Sequence, residues 1–328
     1  LTFSPGAVKI TPLPGIERGI IYCEGIMSSP PYLDLNTFLR KRFGCRVQKI
    51  SLDAGLGCPN RDGRVGTGGC IYCNQLGSGT GAGSRQGLSI EEQIEFGKRF
   101  LRKRYKAQKF IAYFQSFSNT YASVEELETL YRRALAVPDI VGLAIGTRPD
   151  CVPDEVLDMI ARLGRETYVY MEYGLQSIHD RTLKRINRGH DYAAFLDALG
   201  RTRARAIDVC VHVILGLPGE TRADMLETAR AVAGLDIQGI KIHLLYVSRG
   251  TALHESFLRG EYICLALNEF AEITRDFLSI LPRGMVVHRI TGDPHKDEVI
   301  APLWSLDKQS VRDEIERKLR EGRSSENG

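Results

Sequence analysis

No run of about 18 apolar residues occurs anywhere in the 328-residue chain, which excludes a membrane-spanning helix of ordinary length. The first residues lack a basic segment followed by an apolar stretch and a small-residue cleavage site. No secretory signal is therefore predicted, and a cytoplasmic location is expected. Neither the P-loop pattern nor the dinucleotide fingerprint is present. The glycine-rich run Gly77–Ser84 fits neither and reads as a flexible linker. No internal repeat is visible. A disulfide framework is missing as well: five of the eight cysteines are scattered, several of them in apolar strand-like runs where cysteine acts as a small hydrophobe. That usage fits a reducing compartment. Charge of one sign is scarce too, with 44 Lys and Arg against 40 Asp and Glu and a net charge of +4. Such a balance permits a polyanionic partner without requiring one. The densest basic run, Lys98–Lys106, reads as the solvated face of a helix.

What is present is a regular alternation. Short apolar or β-branched runs at Val47–Asp53, Lys109–Phe114, Ile140–Ile145, Thr167–Tyr173, Ile207–Leu215 and Gly239–Val247 predict strands. Helical periodicity fills the gaps between them. Ser89 with Glu92 and Ser123 with Glu126 have capping-box spacing, and further helices are predicted over Tyr192–Arg203 and Arg222–Ala233. Six strand–helix units in series predict an α/β fold with a parallel sheet, either open or a partial (β/α)6 TIM-like barrel. In both, ligands bind at the C-terminal strand ends. Residues 1–45, with a turn-rich Ser28–Pro31 and a helix-like Leu35–Phe43, read as an N-terminal extension. Residues 46–255 read as the core. Residues 256–328 read as a mostly helical C-terminal segment whose tail, Glu321–Gly328, is expected to be disordered.

Cys58-x11-Cys70-x2-Cys73 follows the first predicted strand in a glycine-rich loop. Thiolate-only ligation suits an iron–sulfur cluster or Zn²⁺. Structural zinc sites close with four ligands, and no second C-x2-C or H-x3-H accompanies this set. Three cysteines would leave one iron of a [4Fe-4S] cluster open to a substrate or cofactor.

The segments Cys58–Gly63 and Gly68–Asn74 resemble radical S-adenosylmethionine (SAM) proteins. The likeness is to the YhcC-like group, related to the elongator catalytic subunit and to oxygen-independent coproporphyrinogen dehydrogenase. The eleven-residue gap departs from the three residues common in the superfamily, as that group does, and Tyr72 keeps the aromatic position before the last cysteine. The resemblance runs from about Phe43 to Lys318. It implies that Cys58, Cys70 and Cys73 hold a [4Fe-4S] cluster that cleaves SAM to a 5′-deoxyadenosyl radical. It also implies SAM contacts from Tyr72, from Gln115 and Ser116 after the second strand, from Arg148, from Gln176 and Arg188, and from Leu245 on the last strand. Arg188 would take the methionyl carboxylate, for which a guanidinium fork is suited. Gly146 stands where many relatives carry an acidic residue, and Glu172 on the next strand is the candidate replacement for binding ribose. Glu172 and Arg188 would equally serve in ordinary ion pairs.

His243, two residues after Lys241, reads as a core histidine or as a lining of the substrate side. Arg289–Asp293 and Ala301–Trp304 resemble the group's C-terminal signature. The resemblance further implies a one-electron reductant of flavodoxin- or ferredoxin-like type. It points to an unidentified substrate, with a tRNA base as the leading candidate. A porphyrinogen-like small molecule and a non-catalytic zinc-binding module are the alternatives.

Overall fold

The computed structural model describes residues 32–75, 77, 87–292 and 294–326. The elements in chain order are β1 (Leu33–Asp34), α1 (Leu35–Phe43), β2 (Val47–Leu52), α2 (Ile90–Tyr105), β3 (Lys109–Phe114), α3 (Val124–Ala136) and β4 (Ile140–Thr147). They continue through α4 (Asp154–Glu166), β5 (Tyr168–Gln176), α5 (Asp180–Arg185), α6 (Tyr192–Arg203), β6 (Asp208–Leu215), α7 (Arg222–Ala233) and β7 (Gly239–Leu244). The last part holds β8 (Val247–Ser248), α8 (Ala252–Leu258), α9 (Leu267–Ile280), β9 (Val286–Arg289), β10 (Val299–Ala301) and α10 (Lys308–Glu326).

Period-two alternation splits the apolar residues between the two faces of the sheet. On β2, Ile50 and Leu52 join the large cluster under the outer helices, with Ile94 of α2, Tyr131 of α3 and Leu157 of α4. Val47 points the other way, into a smaller inner cluster with Ile111, Tyr113, Tyr170 and Cys210. Leu39 and the half-buried Phe38 of α1 pack into that inner cluster. Helix starts follow local chemistry. Ser89 caps α2 and Thr221 caps α7, each in a reciprocal capping box, and the Ser123 hydroxyl accepts from Glu126 N at the start of α3.

The sheet order is β1-β9-β7-β6-β5-β4-β3-β2, with every pairing parallel, and the sheet curls into a part-barrel. The six predicted strands form its body. Two more widen it: β9, which pairs with β7, and β1, which pairs with β9. Residues 33–43, expected as part of an extension, therefore supply a strand and a helix to the sheet itself. The extension's earlier residues, 1–31, lie outside the described residues, as does the Gly77–Ser84 linker apart from Gly77. The tail expected to be disordered is described as far as Glu326, and residues 327–328 lie outside the described residues. Residues from Glu321 continue α10 to Glu326, where Arg317 pairs with both Glu314 and Glu321 along the helix. The basic run on α2 is solvated at Arg99, Lys103 and Arg104, but Lys98 is buried and donates to Glu95 and to the Pro138 carbonyl.

No helix among the described residues is long and apolar enough to cross a membrane. At the C-terminal ends of β3, β4 and β5 lies a band of buried polar residues: Ser116, Asn119, Thr120, Arg148, Gln176 and Ser177. Burying polar groups is costly unless they are paired or serve a ligand, so this end of the sheet marks the site.

Candidate cofactor site at the C-terminal strand ends

The loop after β2 is pinned at both ends of its cysteine motif. The Cys58 carbonyl accepts from Arg61 N (2.9 Å) and Asp62 N (3.3 Å), closing a turn. Cys73 N donates to the Cys70 carbonyl at 2.9 Å, which sets the two thiols on one tight turn. From the far side, the segment after α5 grips the loop. Asn60 Nδ2 donates to the Asn187 carbonyl (2.6 Å), Asn187 Nδ2 donates to the Gly69 carbonyl (2.8 Å), and Ile71 N donates to the Ile186 carbonyl (3.1 Å). Gly189, at φ +78°, lies so close that a Cβ there would stand 2.8 Å from Asn60 Oδ1 and 3.2 Å from Arg148 Nη2.

Arg188 ties this loop to the sheet. Its Nη1 lies 3.5 Å from Cys70 Sγ and its Nη2 donates to the Gly174 carbonyl at 2.7 Å. Gly174 has no room for a side chain, since a Cβ would stand 2.5 Å from Arg188 Nη2. Arg148 is buried and occupied. It forks onto Asp150 (2.9 and 2.8 Å) and donates to the Arg188 carbonyl (2.8 Å), so it orients Arg188 through the backbone. The sharing of a proton with Cys73, followed by the Arg188 charge, holds the Cys70 thiol well below its usual range. The same shared proton, together with burial, pushes Cys73 up.

The remaining expected contacts fall around this centre. Tyr72 and Leu245 pack in one apolar cluster with Ile186, Leu217 and Val247. The Tyr72 hydroxyl is buried without a partner. Gln115 accepts from Ser51 Oγ at 2.9 Å at the strand end, and Ser116 is buried beside it in sequence. Gln176 takes φ +75°, a left-handed conformation rare for a side-chain-bearing residue.

Glu172 stands lower in the barrel, two residues before Gly174. Its Oε1 accepts from Lys49 Nζ (2.6 Å) and its Oε2 from His212 Nε2 (2.6 Å) and Lys241 Nζ (3.2 Å). Burial opposes its charge, but these ammonium groups hold its carboxyl well below the usual range. The carboxylate expected at ribose is thus engaged in an interior ion cluster, alongside Gly146 in register. A side chain at 146 would meet the Phe114 carbonyl at 3.0 Å and the Tyr113 ring at 3.5 Å. Tyr113 fills that space, and its hydroxyl lies 2.9 Å from Lys241 Nζ.

Asn60 and Asn187 were not singled out from the sequence, nor were Lys49, His212 and His288. The asparagines sit beside motif residues, Cys58-Pro59 and Arg188. His212 interrupts the apolar run of β6, which is a legible signal, whereas Lys49 and His288 stand in strands that are half polar.

The donor set suits a cluster better than a single ion. Three thiolates from one loop suit a [4Fe-4S] cluster with one iron left open, whereas a structural zinc site closes with four ligands. Partnerless buried polar atoms at Tyr72 Oη, Asn60 Oδ1 and Arg188 Nε beside the loop fit a bound polar group. Cys151, in the turn after β4, lies near Cys58. Burial pushes its thiol up to about 12, which keeps it a neutral spectator at neutral pH.

The model of the radical SAM superfamily matches residues 56–232, and that of the radical SAM C-terminal domain matches residues 237–321. The chain is 44% identical to YtqA of Bacillus subtilis over 297 residues, 90% of this chain and 92% of that one. It is 37% identical to protein YhcC of Escherichia coli over 284 residues, 86% of this chain and 90% of that one. Similarity to the tRNA uridine(34) acetyltransferase of Methanocaldococcus infernus is 29% identity over 156 residues, 47% of this chain and 29% of that one. The structure of Methanocaldococcus infernus Elp3 with an N-terminal deletion superposes with a TM-score of 0.65 at 19% identity. It covers 83% of this chain and 63% of that one, which shows a shared fold. The chain belongs to the radical SAM superfamily, whose members use a [4Fe-4S] cluster and SAM.

Cys73→Ala should lower iron bound after anaerobic reconstitution to a small fraction of wild type, while Cys151→Ala should retain it; loss of iron in both would assign Cys151 to the cluster. Burial pushes Lys241 down to about 7, against the pull of Glu172. Its unfolded value is about 10.4, so between pH 7 and about 10.4 the unfolded chain holds more protons at this position. Stability should therefore rise with pH across that window on account of Lys241. Urea midpoints measured from pH 7 to 9.5 should climb less steeply in Lys241→Met.

Proposed function

We propose, with that family membership as the premise, that the chain reductively cleaves SAM and directs the resulting radical at a substrate held in the barrel, with a tRNA base as the substrate. The observation that carries the first part is the three-cysteine loop anchored over the strand ends by Arg188. Cys58, Cys70 and Cys73 would hold the cluster, leaving one iron for SAM. When bound, the cluster would supply the one electron needed to cleave the bond between the SAM sulfonium and its 5′ carbon.

The chain's own residues do the rest. Arg188 keeps charge against the Cys70 sulfur and leaves its buried Nε–H as the donor for a carboxylate. Arg148 fixes the Arg188 backbone and so its aim. Gln115, Ser116 and Gln176 would receive the polar end of SAM at the strand ends, and Tyr72 and Leu245 form an apolar wall that excludes water. A one-electron reductant of flavodoxin- or ferredoxin-like type would supply the reducing equivalent.

The tRNA reading rests on the partial likeness to the tRNA-acting relative and on the outer face of α2. There Phe96 and Phe100 are more than half exposed, and Arg99 and Lys103 are solvated beside them. Exposed aromatics among basic residues suit stacking on bases and contact with phosphates. A cytoplasmic location accords with this reading.

Anaerobic protein given iron, sulfide, reductant and SAM should form 5′-deoxyadenosine, and Cys73→Ala should form none. Bulk tRNA should bind with an affinity that falls steeply with salt. Absence of 5′-deoxyadenosine would overturn the cleavage reading, and salt-insensitive or undetectable tRNA binding would overturn the substrate reading.

A further inference from the structure

Below the cysteine loop, three strands carry polar side chains in one cross-sheet row that starts at Gly174 of β5: Gly174 pairs with His212 of β6, His212 with Lys241 of β7, and Lys241 with Arg289 of β9. Gly174 is the residue whose carbonyl Arg188 holds, so this row begins directly beneath the cofactor loop. One step lower lies Glu172, paired in register with Cys210. Lys49 and Lys241 thus share the single carboxylate of Glu172, and Arg289 stands beside Lys241 in register. The histidines do not redress the balance. Burial pushes His212 down to about 3 and His288 down to about 4, so both are neutral at pH 7.

The hydrogen-bond directions are fixed by chemistry. Arginine can only donate, so in the 2.7 Å contact between Arg289 Nη2 and His243 Nδ1 the histidine accepts. A neutral His243 then carries its proton on Nε2, and that buried Nε2–H has no partner. Arg289 Nε–H is also buried with no partner. Two adjacent side chains therefore hold buried donors unmatched by any acceptor among the described residues. Buried donors left unpaired cost about 1–3 kcal/mol each, so a structure that keeps two of them side by side is built for an acceptor.

A metal cation is a poor occupant. Ligand atoms of Glu172, Cys210 and His212 do come within 4.8 Å of one another. Two ammonium groups already lie on the Glu172 oxygens, and a cation placed there would meet both charges. The excess charge is positive and the unmatched groups are donors.

We infer that the barrel interior beneath the cysteine loop binds an oxyanion, a carboxylate or phosphate group of the molecule on which the radical acts, through Arg289 Nε–H and His243 Nε2–H. Lys49 supplies surrounding positive charge, Lys241 adds to it where it is protonated, and Glu172 holds both side chains in place. This rests on the proposed radical centre only for the claim that the ligand is the substrate. The site itself follows from the donors. It fits a carboxylate-bearing small substrate and equally a nucleotide phosphate.

The test is calorimetric titration of anaerobically reconstituted protein carrying SAM, with inorganic phosphate and with succinate as probes and potassium chloride as the ionic-strength control. At least one oxyanion should bind saturably at one site, and which of them binds identifies the chemistry. Arg289→Gln and His243→Phe should each weaken it tenfold or more, while Arg230→Ala, on the exposed face of α7, should leave it unchanged. Iron content and SAM binding verify that each variant is folded. Should a variant fail that control, wild-type protein labelled with ¹⁵N-histidine gives a second readout, since the His243 Nε2–H resonance should shift on adding the bound oxyanion. No saturable binding of either probe, unchanged affinity in both variants, or an unmoved resonance would overturn the inference. Formation of 5′-deoxyadenosine, scored in the same preparations, reports separately on the radical centre.

Discussion

A single guanidinium links the two halves of this site. Arg188 reaches one nitrogen to the Cys70 sulfur and another to the Gly174 carbonyl at the end of β5, so the loop after β2 is located by a residue 118 positions away in sequence. Without that bridge the cysteine loop would be held by the Asn60 and Asn187 side-chain hydrogen bonds and the backbone bond from Ile71 to Ile186. The buried sulfur would also lose the positive charge beside it. Both consequences follow from burying a group that must carry negative charge: it needs a charged or hydrogen-bonding partner, and the partner must be rigid. Arg148 supplies the rigidity by forking onto Asp150 and holding the Arg188 carbonyl.

The part-barrel provides the frame for that arrangement. Parallel strands bring their C-terminal ends to one edge, so residues from the loops after β2, β3, β4 and β5 meet there although they are far apart in the chain. The inner face is divided by depth. Its lower part is apolar and aromatic, with Leu39 and Phe38 of α1 packed against Val47 and Tyr170. Its middle carries the ion cluster around Glu172, and its top carries the cysteines. Apolar packing at the bottom secures the barrel while the middle and top remain available for chemistry.

Much of this was legible in the chain. Lys109–Phe114, Tyr192–Arg203 and Arg222–Ala233 were read with the boundaries the structure gives, because the strand is a short bounded apolar run and the two helices start at the caps Asp191 and Thr221. The helix Leu35–Phe43 was read correctly but assigned to an extension, since nothing in nine residues says that Leu39 packs inside a barrel formed by later strands. β9 was missed because Val286–Arg289 is four residues long and half of it is polar. The cysteine motif stood out by spacing. The role of Glu172 did not, because its partners Lys49, His212 and Lys241 lie on three other strands, and only sheet register brings them together. Gly146 shows the same limit from the other side. Its lack of an acidic side chain is explained by the Tyr113 ring filling the space, a fact of packing rather than of local sequence.

The central claim is that three thiolates leave one iron for SAM. Electron paramagnetic resonance of the reduced, anaerobically reconstituted protein, recorded with and without SAM, tests it most directly. A [4Fe-4S] signal whose shape changes on adding SAM is the expected outcome. A spectrum indifferent to SAM, or protein that takes up zinc and forms no cluster, would refute it.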